Sequence, residues 1–424
     1  MSFVPQIYRK ILSLRQNLLR KVYSVNKNVD QDQNYLARRI FQKIEIKGPI
    51  TVADYMKEVL TNPAAGYYMH RDVFGEAGDF ITSPEISQIF GEMIAVWLIN
   101  EWQKMGSPKP FQIIEMGPGR GTLASDILKV FNHFKLNQTT LHLVEVSPHL
   151  SEIQAKRLCG HSTFVKEQET PYRHGTAKEG VEVNWHKQLC DVPKGFSLFI
   201  AHEFFDALPI HKFQKTNMGY KEVLIDIDIG TDISNKSEHP KLRYVLARNP
   251  TPIQHSVINS NEKRDHLEVS PESMLLYRDI CERIKNDGGL ALICDYGHDG
   301  TGTDTFRAFR KHKQVDPLEY PGSSDLTADV DFNAIKQMAS QVEGVLTFGP
   351  ITQREFLLKT GLDVRVQRLK QTITDQKQLD NITECYKSLT DTDKMGERFK
   401  FFALIPETMK PILDVYPVVG FSEK

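Results

Sequence analysis

The sequence has few cysteines and no long apolar run. Its 424 residues include five cysteines, which are scattered without a CxxC pair and without a metal-ligand spacing to histidine. Such usage suits a reducing compartment, and it predicts buried free thiols rather than disulfides or a zinc site. No apolar stretch approaches the roughly 18 to 20 residues that a membrane-spanning helix needs. We therefore expect neither a metal centre nor a transmembrane segment.

The chain also lacks an excess of either charge. Its formal net charge is -1, so there is no global electrostatic reason for it to bind nucleic acid or an anionic membrane. Of its residues, 40% are apolar and 25% are charged, which is ordinary for a globular protein. At this length we expect one enlarged domain, or a domain with substantial insertions.

Acidic residues are absent from the first 29 positions, where lysines and arginines alternate with apolar residues at largely helical spacing. A basic, acid-free and amphipathic start is the composition of a mitochondrial targeting presequence. The alternative is a solvated basic helix or a disordered tail. We predict a presequence over residues 1–29, with cleavage near residues 24–34.

Residues 30–107 have a mainly helical pattern, which predicts an N-terminal helical cap. One helix is predicted to start at Thr82, because a hydroxyl at the N-cap and Pro84 in the first turn favour a helix start. Apolar residues then recur at helical spacing from Ile86 to Trp102, which predicts a helix that faces the core.

After Pro110, short apolar segments alternate with helical patterns, which predicts an α/β fold with an open parallel sheet covered on both faces. The predicted strands are residues 111–116, 141–146, 181–185, 197–201 and 289–295, followed by a terminal antiparallel pair at 345–350 and 400–405. The stretch between the fourth and fifth strands is too long for a crossover helix, and its alternating segments predict a β insertion at about 210–270. The sheet domain would span residues 108–405, with a helical insertion at about 353–398 and a C-terminal tail at 406–424.

A glycine-rich turn follows the first of these strands. Gly117, Gly119 and Gly121 have a GxGxG spacing, which lets backbone approach a ligand closely at the start of the next helix. A dinucleotide-binding fingerprint needs its third glycine at position 122, where this chain has Thr122. Glu115 is a poor neighbour for a pyrophosphate, but it suits a ligand with an ammonium group, such as the methionine part of S-adenosylmethionine.

A second acid, Glu145, ends the next strand, where a carboxylate can accept hydrogen bonds from both ribose hydroxyls. The alternative is an exposed glutamate at a strand end. For the adenine we look to the loop of Gln188, Leu189 and Cys190, after the third strand. The predicted cofactor-binding residues are Glu115, Gly117, Gly119, Gly121, Thr122 and Glu145.

Titratable groups also follow the fourth strand, where His202, Glu203 and Asp206 would lie beside the predicted methyl donor. A planar carboxylate suits bidentate pairing with a guanidinium, and a nearby base can take the proton that the guanidinium loses. Glu203 fits the first need, and Asp206 or His202 fits the second, so the predicted catalytic residues are Glu203 and Asp206. The alternative is that these acids only cap the following helix.

Further acids and a histidine follow the fifth strand, from Asp295 to His298, and more acids occur at residues 326–332. Such residue types can bind a metal ion, but their spacing matches no strict ligand pattern. We expect a solvated rim at these positions.

Several long blocks of the chain resemble the MidA-like family. They are GDFITSPEISQIFGE (78–92), EMGPGRGTLASDIL (115–128), HLVEVS (142–147), AHEFFDALPIHKFQK (201–215), DYGHDGT (295–301), DLTADVDF (325–332) and KMGERFKFFAL (394–404). The resemblance runs from about residue 35 to residue 405. It implies a class I, seven-strand Rossmann-like methyltransferase fold that uses S-adenosylmethionine, with the three glycines in the family's cofactor turn and the two acids of the predicted catalytic pair in its acidic turn. The chain departs from the family at His202, where Asn is frequent, and at Gln188, where an acid is common.

The resemblance also implies an activity and a partner. These are symmetric dimethylation of an arginine on a core peripheral-arm subunit of respiratory complex I, early in the assembly of that complex in the mitochondrial matrix. Two other hypotheses stay open: a methyltransferase-like scaffold that binds an assembly intermediate, and a nicotinamide-dependent dehydrogenase. The glycine spacing disfavours the dehydrogenase, whereas undetectable cofactor binding would favour the scaffold.

Overall fold

The computed structural model describes residues 31–72, 82–228, 241–258 and 261–422. The predicted presequence, residues 1–29, lies outside these ranges. Within them, no helix is long and apolar enough to cross a membrane.

The elements are numbered in chain order. The strands are β1 (Ile50–Thr51), β2 (Phe111–Met116), β3 (Thr139–Val144), β4 (Cys159–Phe164), β5 (Arg173–Ala177), β6 (Glu182–His186), β7 (Ser197–His202), β8 (His211–Thr216), β9 (Gly219–Asp228), β10 (Lys241–Leu246), β11 (His266–Val269), β12 (Gly289–His298), β13 (Arg307–Arg310), β14 (Lys313–Val315), β15 (Asp325–Thr327), β16 (Val330–Asp331), β17 (Val345–Thr352) and β18 (Phe399–Pro406). The α-helices are α1 (Gln31–Lys47), α2 (Val52–Thr61), α3 (Ser83–Ile86), α4 (Gln88–Lys104), α5 (Thr122–His133), α6 (Pro148–Leu158), α7 (Pro252–Val257), α8 (Pro271–Asp287), α9 (Phe332–Ser340), α10 (Gln353–Lys359), α11 (Leu362–Thr372), α12 (Gln376–Thr390), α13 (Met395–Arg398) and α14 (Lys410–Leu413).

The central sheet has the strand order β17-β18-β12-β7-β2-β3-β6-β5-β4. The five strands from β12 to β6 run parallel, and β18 lies antiparallel between β12 and β17. Strands β2 and β7 are buried along their full length, as expected for parallel strands with both faces covered. The seven predicted strands are therefore confirmed, whereas the hairpin of β4 and β5 at the sheet edge was not expected.

A second sheet contains the predicted β insertion. Strands β8, β9 and β11 form it together with β10 and with β1, which pairs with β9 from the N-terminal region. A hydrophobic core unites α1 and α2 with this sheet and with residues of β13 and β15. Helix α4, by contrast, packs on the central sheet. The residues predicted to form one N-terminal cap thus divide between two cores.

The predicted helix from Ile86 to Trp102 is interrupted at Ser87. The backbone of Ser87 is extended, with φ -159° and ψ 134°, so the short helix α3 ends there and α4 begins after it. The Ser87 hydroxyl accepts a hydrogen bond from the Ile89 amide at 3.3 Å and caps α4. Thr82, the predicted cap, makes no such side-chain bond.

The residues after β18 pack against α4. Val418 is buried, and the Trp97 indole donates to the Val419 carbonyl at 2.8 Å. The segment predicted as a C-terminal tail, residues 406–424, is thus attached to the domain over the residues that the structure describes. Helices α10 to α13 occupy the predicted helical insertion.

Candidate active site

The glycine turn joins β2 to α5 at the carboxyl edge of the central sheet. Gly117, Gly119 and Gly121 have positive φ values of 61°, 54° and 74°, a backbone region that favours glycine. A Cβ on Gly117 would lie 2.6 Å from Cδ2 of Phe204. The glycine turn and the acidic turn after β7 are therefore in direct contact.

Glu115 lies directly below the glycine turn and is only 3% exposed. Its Oε2 has no hydrogen-bond partner among the described residues. Burial raises the pKa of this carboxyl to about 8, although a hydrogen bond from the Ala124 amide opposes the rise. An ammonium group that approached Oε2 would supply the missing donor and favour the ionised carboxylate.

Glu145 is buried rather than exposed, which excludes the alternative of an exposed strand-end glutamate. Its Oε1 accepts from the Ser147 amide at 2.7 Å, and its Oε2 accepts from Gln154 Nε2 at 2.9 Å. Burial raises the pKa of Glu145 to about 7, against these two hydrogen bonds. Gln154 also donates to the carbonyl of Gly119 at 2.8 Å, so it links this carboxylate to the glycine turn.

Thr122 is the first residue of α5, and its hydroxyl donates a hydrogen bond to Glu85 of α3. Arg120 of the glycine turn pairs with Glu85 at 3.5 Å and with Asp72 at 3.0 Å. The short helix α3 thus lies against the start of α5. Sequence reasoning missed Glu85 and Gln154, because both act through long-range contacts that no local pattern displays.

Glu203 is the first residue after β7, and its φ of +49° is rare for a residue with a side chain. Its side chain is 16% exposed, yet Oε1 is buried and has no partner in the part of the chain that the structure describes. Burial raises the pKa of Glu203, and the nearby Asp206 raises it further, while the Ser83 amide donates to the carboxylate. His202 Nε2 lies 3.6 Å from Oε1. Burial lowers the pKa of His202 to about 3, so its imidazole is neutral.

Asp206 follows in a 3-10 turn, Phe205–Ala207, that has no side-chain cap. Neither acid of the predicted pair therefore serves as a helix cap. Asp206 Oδ2 accepts from Thr327 at 2.8 Å and from the Tyr296 hydroxyl, whereas Oδ1 is buried with no partner within the described ranges. Burial raises the pKa of Asp206, against these two hydrogen bonds.

The prediction of a solvated rim after the fifth strand is wrong at Asp295, which is fully buried. Its Oδ2 accepts from the amides of Phe204 at 3.1 Å, Phe205 at 3.0 Å and Asp206 at 3.4 Å. Thr327 of the second predicted rim segment is also fully buried. These residues support the acidic turn from within the protein.

The loop predicted to contact adenine follows β6, beside β3, which ends one residue before Glu145. Leu189 is buried there and Cys190 is exposed. Arg283 of α8 donates to the Leu189 carbonyl at 2.7 Å and holds the loop. Its location at the carboxyl edge of the sheet agrees with the prediction, and the adenine contact itself stays a prediction.

A parallel sheet with a glycine turn and buried acids at the ends of adjacent strands defines an α/β protein with a site for a nucleoside-type cofactor. Residues 93–351 match the family model described as "Putative S-adenosyl-L-methionine-dependent methyltransferase". The chain belongs to this family, and its cofactor is S-adenosylmethionine.

Curated relatives and solved structures agree with this membership. The chain is 51% identical to the mitochondrial protein arginine methyltransferase NDUFAF7 homolog of Drosophila melanogaster, covering 91% of this chain and 88% of that protein. It is 46% identical to the mitochondrial protein arginine methyltransferase NDUFAF7 of Homo sapiens, covering 94% of this chain and 92% of that protein. A crystal structure from Burkholderia thailandensis, of a protein bound to S-adenosylhomocysteine, superimposes with a TM-score of 0.70 at 20% identity and covers 90% of this chain and 95% of that one. At that identity the likeness supports the fold.

The residues at the glycine turn fit the cofactor. Glu115 offers a buried acceptor with no partner, which suits an ammonium group. A side chain at Gly117 would clash with the Phe204 ring, so this position of the glycine turn favours glycine. The Glu145 carboxylate accepts from the amides of Ser147 and Val146 and from Gln154, and the remaining one of its about four lone-pair sites can accept a hydroxyl.

Proposed function

We propose that the chain is a protein-arginine N-methyltransferase that forms symmetric dimethylarginine. The observation that supports arginine methylation is the pair of buried acceptors after β7, Glu203 Oε1 and Asp206 Oδ1, which have no partner among the described residues. The symmetric product is what the resemblance to the MidA-like family implies. A buried acceptor without a donor is costly, and a bound ligand with donors would relieve that cost. A guanidinium brings a positive charge and five N–H donors in a fixed planar fork, so it can donate to more than one carboxylate oxygen.

The two carboxyls have different roles in this proposal. Glu203 pairs with the guanidinium and turns one nitrogen towards the methyl donor, and Asp206 accepts the proton that this nitrogen loses. S-adenosylmethionine supplies the electrophilic methyl group when bound. Because the pKa of His202 is lowered to about 3, its imidazole is a poor proton acceptor, which favours Asp206 as the base. Fixed geometry supplies much of the rate in such a reaction.

The predicted cofactor residues have matching roles. Glu115 would accept from the cofactor's ammonium group, and Glu145 would accept from the ribose hydroxyls. Gly117, Gly119 and Gly121 would bring backbone amides close to the ligand, at the N-terminus of α5 where Thr122 begins the helix.

The proposed acceptor is an arginine on a core peripheral-arm subunit of respiratory complex I, and the modification would promote assembly of that complex. The resemblance to the MidA-like family is the basis for this acceptor. The relatives named mitochondrial protein arginine methyltransferases support a protein substrate and a mitochondrial location, for which we propose the matrix. Residues 1–29 would direct the chain there.

The test is transfer of a radiolabelled methyl group from S-adenosylmethionine to isolated peripheral-arm subunits, followed by acid hydrolysis and identification of the labelled amino acid. We expect symmetric dimethylarginine with the wild-type chain and none with Glu203→Gln. Cofactor affinity should stay nearly unchanged in the variant, because Glu203 follows a different strand from the predicted cofactor residues.

Glu101→Gln is the matched control. Glu101 is also a buried glutamate, but it pairs with Lys104 in the last turn of α4. This variant should keep transfer, so a loss in both variants would point to instability rather than chemistry. Cofactor binding without labelled arginine in any subunit would contradict the proposed acceptor, and absence of both would favour the scaffold hypothesis.

A further inference from the structure

The hydroxyl groups around Asp206 are arranged asymmetrically. Tyr296 and Thr327 both donate to Oδ2, while Oδ1 is buried with no partner among the described residues. Because two donors bind Oδ2, the plane of the Asp206 carboxyl group is fixed. Oδ1 therefore points in a single direction. Thr327 itself is fully buried, which leaves it little freedom to move.

The Tyr296 ring is held on several sides. The guanidinium of Arg307 lies 5.2 Å from the ring centroid, and that of Arg398 lies 5.5 Å from it. Phe399 makes an edge contact at a centroid distance of 5.5 Å. Cation–π and aromatic contacts of this kind restrict the ring, and therefore restrict the hydroxyl that donates to Asp206.

We propose that Tyr296 and Thr327 are positioning residues, which hold Asp206 by one oxygen and present its other oxygen to the acceptor nitrogen. This inference rests on the proposed function, in which Asp206 is the base. In this role both hydroxyls act through Asp206, to which they donate. A hydrogen bond to the ionised carboxylate also favours that form, so loss of either donor raises the pKa of Asp206.

Other groups face the same carboxyl and remain in each variant. Besides Tyr296, the titratable and charged groups around Asp206 are Glu203, Asp295, Tyr68 and Arg307, and Asp325 lies near Glu203 and Tyr296. Burial raises the pKa of Tyr296 well above its ordinary value, so its hydroxyl stays protonated and remains a donor across the useful pH range.

The first test is the pH profile of methyl transfer by the full chain carrying Tyr296→Phe or Thr327→Val. We expect kcat to fall at least about tenfold in Tyr296→Phe, with the KM for S-adenosylmethionine unchanged. The acid limb of kcat should move to higher pH by about one unit, because the base form of Asp206 is then lost earlier as the pH falls. Thr327→Val should shift the limb in the same direction.

Tyr277→Phe is the matched control. Tyr277 is a buried tyrosine that stacks on Phe205 of the same turn at 4.0 Å, but its hydroxyl has no partner among the described residues. Its removal should leave the acid limb in place. A limb at the wild-type pH in both Tyr296→Phe and Thr327→Val would overturn the inference, as would an equal shift in Tyr277→Phe.

A second measurement does not depend on the acceptor. Carboxyl 13C resonances of aspartate-labelled full chain are titrated, and the Asp206 resonance is assigned by its loss in Asp206→Asn. A raised Asp206 pKa in Tyr296→Phe supports the positioning role even if no arginine is methylated, which would contradict only the proposed function. An unchanged Asp206 pKa would contradict the positioning role alone.

Discussion

At the scale of single residues, Gly117 brings the glycine turn into contact with the acidic turn. A methyl group there would meet the Phe204 ring at 2.6 Å, and the φ of 61° adds backbone strain of about 1–2 kcal/mol. We expect Gly117→Ala to displace Phe204 and to weaken binding of S-adenosylmethionine at least about tenfold, measured by isothermal titration calorimetry, in a chain that remains folded.

Gly180→Ala separates the effect of backbone strain from the effect of the contact with Phe204. Gly180 also has a positive φ, +82°, but an added Cβ there meets no atom within 4 Å. This variant should lose only the stability that corresponds to backbone strain and keep its cofactor affinity. Equal losses of affinity in both variants would show that general destabilisation, rather than the Phe204 contact, is responsible.

The buried Glu115 predicts a pH dependence of cofactor binding. Burial raises the pKa of its carboxyl to about 8 from an ordinary value of 4.5, so the free protein holds this proton at neutral pH. An ammonium ligand needs the ionised form, and affinity should therefore rise with pH up to about 8, by at most about tenfold per unit, with release of a proton. Calorimetry at pH 6, 7 and 8 in buffers of different ionisation enthalpy measures both effects.

Glu115→Gln should make this pH dependence shallower, although Glu145 and the cofactor's own amino group still titrate.

The Glu115 carboxyl affects folding stability with the opposite sign. Since its folded pKa is raised, the free protein loses stability as the pH rises from about 4.5 to about 8, and the glutamine variant should lose less. An unchanged slope in the variant would exclude Glu115 as the titrating group.

The sequence predicted which residues meet at the carboxyl edge of the sheet better than it predicted their burial and hydrogen bonds. Acids that directly follow apolar strands, such as Glu145, are visible in a local pattern, because the carboxyl ends of parallel strands meet at one edge. Asp295 lies within another such strand, β12, yet its three amide partners belong to a turn that lies far away in sequence. Its burial therefore depends on tertiary contacts, and a local pattern cannot distinguish it from a solvated residue.

At the scale of elements, α3 and α4 show the same limit. Apolar periodicity runs through both and predicts one helix, but the extended backbone of Ser87 separates them. The break lets α3 lie against both turns: Glu85 accepts from Thr122, and the Ser83 amide donates to Glu203. Similarly, the β4–β5 hairpin escaped prediction because most of its side chains are exposed and polar, without the apolar alternation of a half-buried strand.

The capping of α4 gives a prediction for this element. The Ser87 hydroxyl accepts from the Ile89 amide, so Ser87→Ala should lower the free energy of unfolding by about 1 kcal/mol. Thr82→Ala is the control, because Thr82 precedes α3 without a side-chain capping bond and should change little. Urea denaturation measures both, and an equal loss in the two variants would contradict the assigned caps.

At the scale of the whole molecule, the N-terminal region belongs to the same folded unit as the site. Strand β1 pairs with β9, and α1 shares a hydrophobic core with Leu326 and Ala328, which flank Thr327 beside Asp206. Gly322 illustrates how closely these parts pack, since an added Cβ would lie 2.7 Å from Leu36 of α1. This packing therefore indicates that the N-terminal region cannot be removed without consequence for the rest of the protein.

Two isoleucines of α1 test this coupling. Ile40 is fully buried and Ile46 is 82% exposed, so the same substitution probes packing at one position and surface at the other. Ile40→Ala should lower the free energy of unfolding by roughly 2–5 kcal/mol, whereas Ile46→Ala should stay within about 0.5 kcal/mol. If α1 folds with the rest, circular dichroism and tryptophan fluorescence will report one transition that shifts in Ile40→Ala. If α1 instead unfolds independently, Ile40→Ala will produce a separate early transition. The main transition will then stay in place, because unfolding of the central sheet would not depend on α1.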